Sequence, residues 1–151
     1  MALECVRAKT LAERAGAYYV RIQAMAVRHS IPLRDEFDEH DAPDTKYIVL
    51  LDGVLPVATC RLYPVDNARI MLGRVVVLPE YRGRGLGRRA VTEAENWARE
   101  LGYAIARLES RVDKTGFYEK LGYAFTGEAP VKGVTFECVA MEKSLTAGSD
   151  E

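Results

Sequence analysis

The chain has 151 residues, 48% of them hydrophobic and 28% charged, and its net charge at pH 7 is −1. This is the size and composition of one ordinary soluble domain with a core of its own. No apolar run approaches the roughly 18 to 20 residues that a membrane span requires, and the overall charge gives no reason to expect nucleic acid or a membrane as a partner.

The cysteines, the histidines and the N-terminus indicate the compartment and argue against a metal site. Cys5, Cys60 and Cys138 lie far apart in apolar contexts, and an odd count without paired spacing favours reduced thiols. The N-terminal residues have no basic segment leading into an apolar one, so we expect no secretory signal and a cytoplasmic protein. His29 and His40 belong to no metal-ligand spacing, so we expect no metal.

The N-terminal part of the chain predicts a strand, a helix and a loop. LECVRA, residues 3–8, is a candidate strand. Thr10 and Glu13 form a capping-box pattern, which predicts a helix that runs toward His29. The acidic segment, residues 35–44, follows as a predicted loop.

The middle of the chain predicts a hairpin, a third strand and a long helix. Two apolar, β-branched runs, 46–52 and 54–63, are separated by Asp52-Gly53, which is a hairpin signal. Another strand is predicted at 68–78. Apolar residues then recur at helical spacing on one face of 86–101, which predicts an amphipathic helix.

The C-terminal part continues the alternation of strands and helices. We expect a strand at 105–110, a short helix at 114–122, and two final strands at 123–127 and 134–143. Residues 144–151 are expected to form a flexible tail. Because a hairpin precedes a strand–helix–strand–helix unit, the order of elements predicts one α/β domain with a mixed sheet.

Two segments carry opposite charge. The acidic segment has six acidic side chains and no basic one, whereas residues 69–89 carry six arginines against a single glutamate, Glu80. Either the two segments attract each other as solvated loops, or each binds a different small partner.

The segment VVVLPEYRGRGLGRRA, residues 75–90, is a strand that leads through three glycines into a helix. The first amides of a helix have no intrahelical acceptor, and the helix dipole makes that end partly positive. Glycine lets the backbone approach an anion closely, so the pattern predicts a pyrophosphate site. A dinucleotide-binding G-x-G-x-x-G would need glycine where the chain has Arg88, and the Gly-Lys-Ser/Thr ending of a P-loop is absent.

Two motifs in this chain resemble the GNAT N-acetyltransferase family. Residues 82–87, RGRGLG, match the Arg/Gln-x-x-Gly-x-Gly/Ala acyl-coenzyme A pattern of that family, and the preceding VVVLPEY resembles its fourth strand. Residues 117–123, FYEKLGY, resemble its FYEKLGF helix. The resemblance spans 46–143 and implies a GNAT-like single domain over 1–143, with a mixed, mostly antiparallel sheet flanked by helices. RHSIPLRDEFDEHD also resembles the ElaA-like branch, whose members carry an acidic segment there.

The resemblance implies that acetyl-CoA is the co-substrate. The strand residues Val75, Val76 and Val77 would pair with its pantetheine arm. The residues that would bind its pyrophosphate are Arg82, Gly83, Arg84, Gly85, Leu86, Gly87 and Arg88. The alternatives are that the valines belong only to the core and that the arginine side chains only solvate a helix face.

The resemblance also implies a reaction, the direct attack of a neutral amine on the acetyl thioester. Tyr118 matches the family's tyrosine that meets the departing thiolate, although it could also only pack the short helix onto the sheet. A strand amide near Val77 would stabilise the oxyanion. The candidate bases are Glu109 and, in the acidic segment, Glu36, Asp38, Glu39 or His40. Alternatively the acidic segment, through Glu36 and Glu39, would bind a cationic amine, and no motif singles out any of these residues.

The sequence departs from the family pattern in two places. Arg111 stands where many members have an asparagine that contacts the coenzyme, and Ala106 stands where some protein-acetylating members have a glutamate base. The second departure argues against acetylation of ribosomal-protein N-termini. Two other functions stay open, a non-catalytic acyl-CoA sensor and a nucleotide-binding regulatory domain. The acceptor amine, the length of the acyl group, and the choice between monomer and homodimer also stay open.

Overall fold

The structure is a computed structural model that describes residues 3–133 and 136–146. The α-helices of the described chain are α1 Leu11–Arg21, α2 Leu33–Glu36, α3 Leu86–Glu100 and α4 Thr115–Lys120. The strands are β1 Glu4–Arg7, β2 Lys46–Asp52, β3 Leu55–Pro64, β4 Arg69–Val77, β5 Ile105–Arg111, β6 Ala124–Phe125, β7 Val131–Lys132 and β8 Glu137–Ser144.

The strands form one sheet in the order β1-β2-β3-β4-β5-β8-β6, and β7 pairs with β8. Only β4 and β5 are parallel in the described sheet, and every other pairing is antiparallel. The predicted α/β fold with a mixed, mostly antiparallel sheet flanked by helices is therefore confirmed.

The capping box at the start of α1 has both of its hydrogen bonds. The Glu13 N–H donates to Thr10 Oγ1 at 3.1 Å, and the Thr10 N–H donates to Glu13 Oε1 at 3.1 Å. The helix then continues as a π-helix over Ile22–Val27, so it ends two residues before His29. None of the described helices is both long and apolar enough to cross a membrane.

Helices α1 and α3 cover opposite faces of the sheet. A Cβ added at Gly16 of α1 would lie 3.4 Å from Val49, and one at Gly87 of α3 would lie 3.7 Å from Val77. The pairing of β2 and β4 with neighbouring residues of β3 puts these two valines on opposite faces. Both faces of the central strands are therefore buried, and the core lies on either side of β2, β3 and β4.

Strands β4 and β5 pair only at their beginnings. Their register joins Arg69–Met71 to Ile105–Arg107, and beyond Met71 the two strands separate. A β-bulge in β4 accompanies the separation, because its pairing with β3 shifts by one residue at Arg74, whose φ is +49°. The rest of β4 therefore has a backbone edge without a strand partner in the described sheet, and this edge leads to residues 82–88, which we call the glycine turn.

The described chain departs from the sequence-based expectations at its edges. The short helix α2 occupies the start of the acidic segment, and β7 was not predicted. Of the predicted tail, Ser144 ends β8, and Leu145 is 1% exposed with its N–H donating to the Ala104 carbonyl at 2.7 Å. Residues 147–151, like the predicted strand residues 134 and 135, lie outside the described residues.

Candidate active site

The glycine turn leads into backbone amides that have no acceptor within helix α3. Gly83 and Gly85 are exposed and have φ values of +78° and +75°, in the left-handed region that favours glycine. Gly85 is the N-cap of α3, and the first helical bond runs from the Arg89 N–H to the Gly85 carbonyl at 3.0 Å. The amides of Leu86, Gly87 and Arg88 therefore have no acceptor within the helix, which is the arrangement that binds a phosphate.

The side chains around the turn add positive charge, while Leu86 is buried and offers only its backbone. Arg82, Arg84 and Arg88 are exposed, and Arg84 stacks on Tyr81 with its guanidinium carbon 4.9 Å from the ring centroid. A cavity of about 300 Å³ adjoins the turn and is lined by Leu3, Arg84, Gly85, Leu86 and Arg89. The electrostatics of this end of α3 thus suit an anionic ligand.

The free edge of β4 lies next to the turn. The Leu78 N–H donates to the Val57 carbonyl of β3 at 2.9 Å. Because neighbouring residues of a strand direct their backbone groups to opposite edges, the Val77 N–H lies on the edge that faces the separated β5. Val76 is buried, whereas Val75 and Val77 are half-buried. These valines belong to the core and also border the opening between β4 and the separated part of β5.

Tyr118 of α4 lies near the start of α3, to which it is linked through Phe117. Its ring meets the ring of Phe117 edge-on at 4.9 Å, and a Cβ added at Gly87 would lie 3.6 Å from Phe117. In the described chain the Tyr118 hydroxyl has no hydrogen-bond partner. Burial raises the pKa of Tyr118 well above its usual value, and the nearby thiols of Cys60 and Cys138 raise it further. The phenol is therefore a proton donor throughout the physiological pH range.

Glu109 lies on the other side of the sheet from α3. It is an exposed residue of β5 on the face that carries α1 and Tyr63, and it forms no ion pair with any described residue. Burial raises the pKa of Tyr63; Arg61 opposes this change, and the charge of Glu109 adds to it. The ring of His40 stacks on Tyr63 with 4.1 Å between centroids. An amine that approached from this face would meet a carboxylate beside an aromatic pair.

Three of the six acidic side chains of the acidic segment pair with arginines. Glu36 is 4% exposed, and its carboxylate accepts from Arg21 Nε at 3.0 Å and lies 3.5 Å from Arg74 Nε. Asp38 binds both Arg61 and Arg74. Arg74 belongs to the basic segment 69–89, so the two oppositely charged segments do attract each other, but in a largely buried network.

Asp41 lies at the centre of this network. Arg21 Nη1 and the Tyr47 hydroxyl each donate to its Oδ1 at 2.6 Å. Burial alone would raise the pKa of Asp41, but the hydrogen bonds from Arg21 and Tyr47 outweigh burial and hold that pKa well below its usual range. The network therefore fixes the acidic segment against α1 and β3.

The candidate acidic residues differ in whether their carboxylates are already bound by arginines or are accessible to a substrate. The Glu36 carboxylate is already bound by arginines, so it is not available to an amine. Glu39 is exposed, and its carboxylate lies 3.6 Å from His40 Nε2. The sequence offered no local signal for the burial of Glu36, because its partners Arg21 and Arg74 are 15 and 38 residues away. No group of three or more His, Cys, Asp or Glu side chains within residues 3–133 and 136–146 could hold a metal ion.

The sequence over residues 11–123 matches the profile of the acetyltransferase (GNAT) family. The chain belongs to the GNAT acetyltransferase family. A Bacillus subtilis (strain 168) relative described as a "putative acetyltransferase" is 33% identical over 114 residues, which are 74% of this chain and 77% of that protein. The GNAT resemblance of the glycine turn and the FYEKLGY segment is confirmed.

Solved structures of GNAT proteins share the fold. A Lactobacillus plantarum crystal structure described as a "putative N-acetyltransferase" has a TM-score of 0.89 and 33% identity, and it covers 96% of this chain and 99% of its own. Escherichia coli ElaA has a TM-score of 0.79 at 16% identity, with 95% and 99% covered. An aminoglycoside 6′-N-acetyltransferase, solved with coenzyme A, has a TM-score of 0.71 at 16% identity, with 96% and 97% covered. The two more distant likenesses show the fold alone.

Proposed function

We propose that this GNAT protein transfers an acetyl group from acetyl-CoA to a primary amine of a small molecule or peptide. The observation that carries the proposal is the opening between β4 and β5, which places a free strand edge directly beside the unpaired amides of the glycine turn. An extended arm with a pyrophosphate at one end fits this combination, because the strand edge offers hydrogen bonds along the arm and the turn offers them to the phosphates. All three cysteines are free thiols, which supports a cytoplasmic location.

The residues of the opening suit the chemistry of direct attack. The amine nitrogen would form a bond to the thioester carbonyl carbon while the carbon–sulfur bond breaks and the sulfur leaves as thiolate. The Val77 N–H would stabilise the developing charge on the carbonyl oxygen. Tyr118 would donate to the departing sulfur, and its raised pKa makes a hydrogen bond in the transition state more favourable than full proton transfer.

The acceptor would approach from the face of α1. Because a primary amine is mostly protonated at neutral pH, it must lose a proton before it attacks. Glu109 is the exposed carboxylate of β5 on that face, so we assign it this role or that of binding the ammonium form. Glu39 can contribute at the rim, whereas the carboxylate of Glu36 is held within the arginine network.

The experiment is a thiol-release assay with acetyl-CoA and a panel of small-molecule and peptide amines. We expect amine-dependent release of coenzyme A, and a loss of roughly 100-fold in kcat for Tyr118→Phe with unchanged coenzyme binding. Tyr19→Phe is the matched control, because Tyr19 is an exposed tyrosine of α1. Acetyl-CoA binding without turnover on any amine would instead favour the sensor, and stabilisation by ATP or NAD in place of coenzyme A would favour the nucleotide-binding domain.

A further inference from the structure

A buried polar network lies behind Tyr118. Glu95 of α3 is 4% exposed and Tyr123 is 3% exposed. The Tyr123 hydroxyl donates to Glu95 Oε2 at 2.8 Å, and Lys143 Nζ of β8 donates to Glu95 Oε1 at 3.0 Å. Each carboxylate oxygen thus has one donor, which a buried charge requires. The network joins α3, the end of α4 and β8.

Tyr123 connects this network to Tyr118 in two ways. Its backbone N–H donates to the Tyr118 carbonyl at 3.1 Å, and its ring meets the Tyr118 ring edge-on with 6.0 Å between centroids. Gly122, with φ +100°, gives the left-handed residue that this type of helix end requires. A Cβ added at Gly122 would lie 3.4 Å from Lys143 Cε, so the lysine stem also packs against the end of α4.

Helix α4 depends on such anchors. It has six residues, and a helix this short has little stability of its own in water. The Tyr118 ring makes edge-on contacts with both Phe117 and Tyr123. The Tyr118 ring therefore packs against Tyr123, which is anchored outside α4 by Glu95.

We propose that Glu95, Tyr123 and Lys143 are positioning residues that hold the Tyr118 hydroxyl toward the departing thiolate. This proposal rests on the proposed function. The three residues act through Tyr118 and contact neither substrate. The glycine turn is independent of them, because Glu95 follows the start of α3 by nine residues, or about 13 Å along the helix. Loss of the network should therefore impair turnover and spare coenzyme binding.

The first test is a double-mutant cycle in the thiol-release assay. Tyr123→Phe should lower kcat roughly 10-fold and leave the dissociation constant of coenzyme A unchanged. In a Tyr118→Phe background the same substitution should lower kcat no further, because the group that it positions is gone. Glu95→Gln keeps an acceptor for the tyrosine hydroxyl and should lower kcat less. Tyr103→Phe is the control, because Tyr103 packs against the core and its hydroxyl has no hydrogen bond in the described chain.

A purely structural network would give a different result. Tyr123→Phe would then lower the melting temperature with unchanged kcat, or its effect on kcat would be the same in both backgrounds, and either outcome overturns the proposal. If Tyr118→Phe alone leaves kcat unchanged, the assigned role of Tyr118 in the proposed function fails, and the positioning role fails with it.

The second test needs no acceptor amine and separates the two proposals. The NMR signals of a ring-labelled Tyr118 should shift or broaden in Tyr123→Phe, with the amide signals of residues 83–88 unchanged. A Tyr118 signal that does not respond contradicts the positioning role even if the enzyme is active. If the Tyr118 signals respond but the protein acetylates no amine, the contact between the two tyrosines is supported, and the proposed function alone is refuted.

Discussion

Replacement of Gly85 by alanine has two expected effects that can be measured separately, one on the stability of the turn and one on its binding of ligand. Gly85 has φ +75° and ψ 16°, and a Cβ added there meets no atom within 4 Å. The substitution therefore causes no clash, and its penalty is the left-handed conformation itself, roughly 1–2 kcal/mol. For a chain of this length we expect the melting temperature to fall by about 2–8 °C.

The same methyl group occupies the space in which the pyrophosphate would approach the amides. When acetyl-CoA is present at about 100 times its dissociation constant, the free energy of unfolding of the wild-type protein rises by about 2.7 kcal/mol. If Gly85→Ala weakens binding about 10-fold, the gain at the same ligand concentration falls to about 1.4 kcal/mol. Thermal unfolding with and without acetyl-CoA should therefore show a ligand-induced shift about half that of the wild type.

Gly102→Ala is the matched control at the other end of α3. Gly102 has φ +96°, and a Cβ there also meets no atom within 4 Å, so we expect a similar loss of stability with the full ligand-induced shift. Equal shifts for the two variants would refute the assignment of the turn as the coenzyme site. A reduced shift in Gly102→Ala would show that lost stability alone accounts for the effect.

Three further predictions concern the same helix and the arginine network. Gly87→Ala should raise the melting temperature by about 2–4 °C, because alanine is about 1 kcal/mol more favourable than glycine within a helix. The added Cβ would meet its neighbours at 3.6 and 3.7 Å, which is ordinary contact. A lower melting temperature in a calorimetric scan would contradict this prediction. Arg21→Met should lower the free energy of unfolding measured in urea by about 3–5 kcal/mol, because it removes the buried cation that binds both Glu36 and Asp41. Glu100→Gln, which breaks the exposed ion pair of Glu100 with Arg7, should cost far less, and equal losses would refute the reasoning. The pKa of Asp41 is lowered in the folded state. Its contribution to stability is therefore complete above the unfolded pKa of about 4 and is lost as the pH falls through the folded value. The midpoint of urea unfolding should be lower at pH 3 than at pH 6, and an unchanged midpoint would contradict this prediction.

Local sequence patterns predict most of the fold. The capping box of Thr10 and Glu13 and the hairpin signal at Asp52-Gly53 depend on residues close together in sequence, and each appears where it was expected. The glycine turn is equally local, because the torsion angles of Gly83 and Gly85 and the first amides of α3 create its free donors. The backbone conformation of the turn and its free donors could therefore be predicted without knowledge of the tertiary structure.

Residues that depend on distant partners could not be predicted in the same way. Six acidic side chains in ten residues indicate a solvated loop, but Arg21, Arg61 and Arg74 of α1, β3 and β4 pair with three of the six. Glu95 did carry a signal, since it lies on the apolar stripe of α3 beside Ala94 and Ala98. A charged residue at such a position indicates a buried partner, although the sequence does not say which one.

Backbone amide NMR during a titration with acetyl-CoA tests the central claim most directly. We predict that the largest chemical-shift changes fall on the amides of residues 83–88 and on Val75 and Val77, with small changes in the acidic segment. Changes centred instead on the separate cavity of about 470 Å³ lined by Val65, Asp66, Arg69, Arg107, Thr126, Glu128 and Glu142, or no changes at the turn, would contradict an acyl-CoA site between β4 and β5.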